Sequence, residues 1–255
     1  MITFHGVSKS YDGRRVVGPL NFAIARGQFV ALLGASGCGK TTTLKMINGL
    51  ILPDAGKVSV AGAAVGAEPL SALRRRIGYV FQDVGLFPHF TIARNIEVGP
   101  RLAGWPPDRT AARVTELLGL VALPADIGQR LPAALSGGQR QRVGLARALA
   151  AGPELMLMDE PFGALDPVTR DALGVDYRAL HDRLGVTTVM VTHDVMEALL
   201  LADRIVVLDA GHVVADGPPG ALLEGHADPR VRALMQTPRR QMRRLEALAA
   251  GVAHG

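Results

Sequence analysis

The segment from Gly34 to Thr41 has the spacing G-x-x-x-x-G-K-T, which is typical of a loop that wraps nucleotide phosphates. Its members are Gly34, Ala35, Ser36, Gly37, Cys38, Gly39, Lys40 and Thr41, with Thr42 following as a further nucleotide-binding candidate. We expect backbone N–H groups to face the anion, Lys40 to reach the β- and γ-phosphates, and the Thr41 hydroxyl to ligate Mg²⁺. The plainer alternatives are a glycine-rich turn with a surface lysine and, for Cys38, a small filling residue instead of a redox sensor.

Two adjacent carboxylates end the apolar run from Leu155 to Glu160. Acidic residues at the carboxyl end of a parallel strand lie at the usual ligand crevice of an α/β sheet. We expect Asp159 to hold Mg²⁺, directly or through water, and Glu160 to act as general base for an attacking water. Because side chains alternate along a strand, the two acids are predicted to point to opposite sides. On their own they would fit equally well as caps of the turn before Pro161.

A second anion-binding pattern precedes a predicted helix at Leu135, Ser136, Gly137, Gly138 and Gln139. Free N–H groups and the positive end of the helix dipole favour a phosphate at such a point. One nucleotide needs only one phosphate-binding element. The second is therefore predicted to serve a nucleotide bound to another copy of the chain, or another partner.

With these residues in order, the chain resembles the nucleotide-binding subunit of an ATP-binding-cassette (ABC) transporter from about residue 2 to residue 225. The resemblance implies an α/β fold: a P-loop NTPase with a RecA-like core and an antiparallel β subdomain, plus an inserted α-helical subdomain. It also implies ATP and Mg²⁺ as ligands. In that family two subunits enclose two ATP molecules, and the signature resembled by Leu135–Gln139 closes on the nucleotide of the partner.

The same resemblance implies roles for five further positions. Tyr11 resembles the aromatic residue that stacks on adenine, and Val16 lies beside it. Gln82 resembles the glutamine that meets Mg²⁺ and the attacking water, and Asp166 belongs to a loop at the dimer contact. His193 resembles the switch histidine that holds the γ-phosphate and the general base. Taken singly, a tyrosine after a strand or a histidine at a strand end is more often structural.

The elements that must position these residues can be predicted from the apolar pattern. Gln28–Leu33 is a buried strand and Thr42–Leu50 a helix, so the phosphate loop joins a strand to a helix. Strand-like and helical runs alternate again after Leu155, which predicts a parallel sheet covered by helices. Residues 1–228 are predicted to form the nucleotide-binding domain, with a helical insert at about 87–150. Residues 229–255 are predicted to be a basic tail broken by Pro238.

Composition excludes several classes of protein. The chain has 255 residues, 48% hydrophobic and 20% charged, so it is neither disordered nor fibrous. One cysteine excludes a disulfide scaffold, and neither a signal peptide nor a membrane-spanning run is predicted. Of the net charge of +5, the region after residue 225 supplies six arginines against two acids. The nearly neutral remainder argues against nucleic acid as a partner.

A closer resemblance is to importers of osmoprotectants such as glycine betaine, choline or carnitine. The segments that carry it are Thr42–Asn48, Arg74–Val80, Gly85–Thr91 and Pro100–Trp105. It implies a homodimer on the cytoplasmic face of the inner membrane, working with two integral membrane permease subunits and a solute-binding protein. Alternatives are another solute (a sugar, polyamine or sulfonate) or a non-transport ABC ATPase.

Two segments have open interpretations. Residues 87–91 are predicted to help form the cleft for the membrane subunit, or else to pack under the helical insert. The tail is either a helix on the membrane surface, with Met242, Leu245 and Leu248 at helical spacing, or a solvated helix.

Overall fold

A computed structural model describes residues 1–252, except for the side chains of residues 245 and 249–252. Within that part of the chain the strands are β1 Ile2–Tyr11, β2 Arg14–Ile24, β3 Phe29–Leu33, β4 Ala55–Val60, β5 Ala63–Ala64, β6 Ile77–Val80, β7 Leu155–Asp159, β8 Thr187–Thr192, β9 Arg204–Asp209 and β10 His212–Gly217. The helices are α1 Lys40–Ile47, α2 Leu70–Arg75, α3 Ile92–Leu102, α4 Pro107–Leu120, α5 Gly137–Leu149, α6 Pro167–Leu184, α7 Val195–Leu201, α8 Pro219–Glu224 and α9 Pro229–Val252. None of these helices combines the length and the apolar composition needed to cross a bilayer.

A six-stranded sheet in the order β10-β9-β3-β8-β7-β6 forms the centre of the molecule. Its strands run parallel except β10, which pairs antiparallel with β9. Every residue of β3, β7 and β8 is buried, as expected for strands covered on both faces. Parallel pairing brings the carboxyl ends of these strands to one edge, and the predicted site residues follow them there. The parallel sheet inferred from the alternation of strands and helices is confirmed.

The other sheet is antiparallel, in the order β2-β1-β4-β5. Its inner face packs on α1 and on one face of the central sheet, where Val30 and Leu32 of β3 join the core. The alternate residues of β3, among them Ala31 and Leu33, belong to a second core under the helices. Strand periodicity therefore divides the interior into two layers, and the phosphate loop leaves β3 between them. The predicted α/β fold with its antiparallel β layer is confirmed.

Helices α3, α4 and α5 lie between β6 and β7 and correspond to the predicted helical insert. Buried Asn95 of α3 holds the segment before this helix: its Oδ1 accepts from the Phe87 amide at 2.8 Å. Its Nδ2 lies 3.1 Å from the carbonyl oxygens of Phe87, Phe90 and Thr91. The Phe87 ring is nevertheless 47% exposed, so the backbone is tied down while the aromatic side chain faces outward.

Two local predictions are wrong. Helix α1 begins at Lys40 instead of Thr42, because Gly39 at φ 100° ends the loop immediately before it. Helix α9 continues across Pro238, where a break was expected. Its residues Val231, Met235 and Pro238 share one buried face, so packing on the body compensates for the lost backbone hydrogen bond. The last three residues of the predicted tail, 253–255, lie outside the described residues. The boundary between the nucleotide-binding domain and the tail at residue 229 stays a prediction.

Candidate nucleotide-binding site

The loop between β3 and α1 curls around the side chain of Lys40. The Lys40 ammonium donates to the carbonyl oxygens of Gly34 at 2.7 Å and Ala35 at 2.8 Å, and the residue is only 5% exposed. Gly37 and Gly39 have φ values of 78° and 100°, which β-carbon-bearing residues rarely adopt. The predicted strand, glycine-rich loop and helix are therefore all present, with a buried cation at their centre.

Neighbouring backbone holds this loop closely. A Cβ at Gly39 would lie 2.7 Å from the carbonyl oxygen of Val16 on β2. The amide of Gly211, in the turn between β9 and β10, donates to the Cys38 carbonyl at 3.1 Å. Cys38 is buried, and burial raises the pKa of its thiol. This environment agrees with Cys38 as a filling residue.

The two acids at the end of β7 diverge. Asp159 is 8% exposed, and its Oδ1 accepts from the Thr41 hydroxyl at 2.8 Å. Glu160 has φ 46°, so the chain turns away from the strand at this residue. Strand alternation predicted that the two carboxylates point to opposite sides. They do diverge, but the cause is the backbone turn at Glu160, which sets the direction of its carboxylate. Behind the pair lies the buried hydroxyl of Tyr79, whose pKa is raised by burial and by the charge of Asp159.

The Glu160 carboxylate faces the predicted switch histidine. Oε2 of Glu160 lies 3.1 Å from Nδ1 of His193, and the Glu160 amide donates to the Val191 carbonyl at 2.9 Å. The side chain of His193 is 61% exposed and that of Glu160 is 22% exposed. A cavity of about 150 Å³ lies beside this carboxylate and is lined by Val16, Ser36, Gly37, Gly39, Lys40, Thr41, Thr42 and Glu160.

The second anion-binding pattern forms the expected helix start. Ser136 caps α5: its hydroxyl accepts from the Gln139 amide at 3.2 Å, and the Gln139 side chain accepts from the Ser136 amide at 3.0 Å. Leu135, immediately before this capping box, is buried in the hydrophobic core. Gly138 faces α6, where a Cβ would lie 2.6 Å from Cγ2 of Thr169, while Gly137 keeps more open space.

Several predicted residues do not line the cavity, among them Tyr11, Gln82 and Asp166. Tyr11 is 43% exposed at the end of β1, and Gln82 is exposed in the loop after β6. Asp166 caps α6 by accepting from the Thr169 amide at 3.0 Å, and hydrogen bonding to Thr169 lowers the pKa of its carboxyl. The roles of these residues, like those of the capping box at α5, stay predictions.

A hydrogen-bonded network beside His193 was not predicted. Asp194 caps α7, Thr192 donates to buried Glu197 at 2.7 Å, and Arg170 of α6 lies 3.0 Å from Asp194. The spacing of Asp194 and Glu197 is that of an N-cap followed by an acid at the third helical position, a sequence pattern that could have revealed the cap. The arginine carries no such local signal.

Thr41 and Asp159 offer the oxygen ligands that Mg²⁺ prefers, and the 2.8 Å between the two oxygens places them at one point. No group of three or more histidine, cysteine or acidic side chains able to hold a metal occurs in the part of the chain that the structure describes. The donor set fits a cation that takes its other ligands from phosphate and water.

Fold and loop define the class: this is a P-loop nucleotide-binding protein, with the loop at the carboxyl edge of a parallel sheet. The model of the ABC transporter family matches residues 17–163, and the chain belongs to that family. A solved dimeric structure of the ATP-binding cassette MJ0796 in a post-hydrolysis state, bound to ADP and Pi, superposes with a TM-score of 0.78. The two are 32% identical, and the match covers 86% of this chain and 99% of that one.

Curated relatives are more similar in sequence. The choline transport ATP-binding protein OpuBA of Bacillus subtilis is 51% identical, over 89% of this chain and 60% of its own length. The glycine betaine uptake system ATP-binding protein YehX of Escherichia coli is 49% identical, over 91% and 75%. A sulfate/thiosulfate import ATP-binding protein, CysA of Thermosynechococcus vestitus, is 48% identical, over 90% and 68%. This chain thus spans about three fifths of the length of OpuBA.

Proposed function

We propose that the chain binds and hydrolyses ATP at the loop around Lys40. The observation that carries this proposal is the convergence of three groups at one sheet edge. These are the buried Lys40 ammonium, the Thr41–Asp159 pair at 2.8 Å and the Glu160–His193 pair at 3.1 Å. Phosphoryl transfer to water needs mainly positioning and stabilisation of negative charge, and a cation, oxygen ligands and a carboxylate base supply both.

Each group has a separate role in the proposal. Lys40 leaves its two carbonyl partners to bind the β- and γ-phosphates. Thr41 and Asp159 would hold Mg²⁺, which would supply positive charge to neutralise the phosphates. Glu160 accepts a proton from the attacking water, and His193 holds the Glu160 carboxylate and the γ-phosphate in place. The nearby left-handed turn at Glu160 keeps this carboxylate away from the Thr41–Asp159 pair.

We further propose that the site is completed by a second copy of the chain. The capping box at Ser136, Gly137, Gly138 and Gln139 would then face the nucleotide held by the partner, and Asp166 would lie at the contact. Tyr11 would stack on adenine beside Val16, and Gln82 would approach Mg²⁺ and the attacking water. The dimeric state of the MJ0796 cassette supports this assembly.

The test is ATP turnover by Glu160→Gln beside Glu154→Gln. Glu154 precedes the opposite end of β7 and pairs with Arg26 on the surface, so it controls for loss of an acid. We expect Glu160→Gln to lower kcat by about 100-fold or more while ATP binding persists and a dimer accumulates. Glu154→Gln should match the wild type. Hydrolysis by Glu160→Gln at the wild-type rate would contradict the assignment of the base.

For the transported solute, we propose a quaternary ammonium osmoprotectant such as glycine betaine, choline or carnitine. The support is the likeness to OpuBA and YehX, whose names state choline transport and glycine betaine uptake. The subunit would act at the cytoplasmic face of the membrane with two permease subunits and a solute-binding protein. Import of another solute is the second candidate, favoured by the 48% identity to a sulfate/thiosulfate import protein.

We propose that the permease contacts the cleft beside β6 and α3. A groove of about 510 Å³ lies there, and Phe81 and Leu102 on its lining are 45% and 69% exposed. Large exposed apolar side chains along a groove are typical of a protein contact. Phe87, which is also exposed, lies in the segment that connects β6 to α3.

Uptake of labelled betaine, choline and carnitine at high osmolarity would test the solute. Cells lacking redundant carriers would express the wild type, Glu160→Gln or no subunit. Loss of uptake in both altered strains is expected. Unchanged uptake would reject the osmoprotectant and leave the ATPase proposal standing, and copurification of the permease would then direct the search to another solute.

A further inference from the structure

Arg170 lies in the first turn of α6, and its guanidinium contacts two separate segments. Nη1 is 3.0 Å from Oδ2 of Asp194, and Nη2 donates to the Leu165 carbonyl at 3.2 Å. Nε lies 3.7 Å from Oε1 of Glu197. One side chain therefore connects the loop that ends in Asp166 with the first turn of α7.

The first turn of α7 holds the backbone on both sides of His193. Oδ1 of Asp194 accepts from two amides of α7 at 2.8 and 3.3 Å. The Thr192 hydroxyl accepts from the Asp194 amide at 2.9 Å and donates to Glu197 at 2.7 Å. Since Thr192 and Asp194 flank His193 in the chain, a displacement of either moves the imidazole that lies 3.1 Å from Glu160.

The network has one unformed contact. Among the described residues, Nε of Arg170 is buried without a hydrogen-bond partner, and the Glu197 carboxylate faces it at 3.7 Å. Glu197 is itself buried, and burial raises the pKa of its carboxyl, so a closer positive charge would stabilise the ionised form. A relative movement of α6 and α7 by less than about 1 Å would close the gap to hydrogen-bond length.

We infer that Arg170 is a positioning residue that couples the loop at Leu165 and Asp166 to the placement of His193 against Glu160. The inference rests on the proposed ATPase function and deepens it. A second copy that contacts this loop would displace the first turn of α6, and Arg170 would transmit the displacement to α7. Arg170 does not line the nucleotide cavity, and its contact with Asp194, the residue after His193, is the route by which it would act.

The chain contains a matched control in Arg178 on the same helix. The side chains of Arg170 and Arg178 are 30% and 28% exposed. Arg178 pairs with Asp182 and Asp203 and donates to the Leu201 carbonyl at 2.9 Å, at the far end of α7. The two arginines thus share helix, charge and degree of pairing, and only Arg170 contacts the residues beside His193.

The experiment compares Arg170→Gln, Arg170→Lys and Arg178→Gln in the full chain. Arg170→Gln should lower kcat by about 10- to 100-fold, as expected when a catalytic group is misplaced by about 1 Å. KM and the affinity for a non-hydrolysable ATP analogue should stay within about twofold of the wild type. Arg170→Lys should restore part of kcat, since it keeps the charge opposite Asp194. Arg178→Gln should reduce Tm comparably and leave kcat within about twofold.

A second measurement tests whether Arg170 acts through the histidine. In the His193→Ala background, Arg170→Gln should lower kcat by no more than about a further twofold, because the group that it positions is already absent. Equal kcat for Arg170→Gln and Arg178→Gln would overturn the inference, as would independent, multiplicative losses in the double variant. A wild type without ATP hydrolysis would instead reject the proposed function, and the inference with it.

Discussion

Replacing Asn95 by aspartate tests how the segment before α3 is held. The two side chains have the same shape, so Asn95→Asp creates no cavity. The substitution keeps the acceptor for the Phe87 amide and exchanges the donor Nδ2 for an oxygen. That oxygen would lie about 3.1 Å from the carbonyl oxygens of Phe87, Phe90 and Thr91. Oxygen atoms at this distance repel each other unless the carboxyl group is protonated and donates a hydrogen bond.

The magnitude follows from these contacts. Two N–H donors now serve three carbonyl oxygens, and their loss costs about 1 kcal/mol per hydrogen bond and more where a buried acceptor stays unsatisfied. Asn95 is completely buried, so an ionised carboxylate there adds a desolvation cost. We expect the free energy of unfolding to fall by about 3–5 kcal/mol at neutral pH. For a domain of this size that lowers Tm by roughly 6–20 °C.

The defect should also depend on pH. Burial and the facing carbonyl oxygens would raise the pKa of the introduced carboxyl above its unfolded value of about 3.9. The folded variant then binds the proton more tightly than the unfolded one, so the loss is largest above the folded pKa and shrinks as the pH falls through it. Urea unfolding at several pH values, taken as the difference from the wild type, measures this.

Asn48→Asp is the matched control for this substitution. Asn48 is also buried (3% exposed), but its Oδ1 accepts a hydrogen bond from the Leu50 amide at 3.0 Å, and aspartate keeps that bond. We expect less than half of the loss seen for Asn95→Asp. Equal losses, or a loss below about 0.5 kcal/mol for Asn95→Asp, would refute the reasoning from the three carbonyl contacts.

Two further predictions concern stability. Gly39→Ala should lower Tm more than Gly37→Ala, because both glycines have positive φ but only a Cβ at Gly39 would lie 2.7 Å from the Val16 carbonyl oxygen. Thermal unfolding without nucleotide measures the difference, and equal shifts in Tm would exclude this contact as the cause. The pKa of His181 is lowered chiefly by burial, so the unfolded state binds a proton more readily and the free energy of unfolding should fall as the pH drops below about 6.5. Urea titrations should show a smaller decline for His181→Leu, and an unchanged slope would contradict this cause.

The unit around Lys40 could be predicted because its information is local. An apolar strand, a glycine-rich turn and a helix start follow one another, and each is recognisable from a few adjacent residues. The same is true of the Ser136 cap with Gln139 three positions later. The contact between Thr41 and Asp159 was also within reach, because parallel strands end at one edge.

Other features depend on contacts between distant parts of the chain. Arg170 and Asp194 form a hydrogen bond although they are 24 residues apart in sequence, and the residues around either of them give no indication of the pair. Pro238 continues a helix because its face is buried against the body, whereas propensity alone predicts a break. The short elements β5, α2 and α8 have from two to six residues and too little periodicity to be recognised.

Helix α7 is fastened to α6 at both ends. The two arginines on α6 are eight positions apart, about 12 Å along a helix, and α7 with its seven residues is about 10.5 Å long. Arg170 holds the beginning of α7 through Asp194, and Arg178 holds its last carbonyl at Leu201. The two links hold the two ends of α7 to the same helix, but only the Arg170 link ends beside His193. A displacement of the first turn of α6 therefore reaches the histidine through Arg170 and Asp194, and loss of the far link leaves the end of α7 that carries the histidine still fastened.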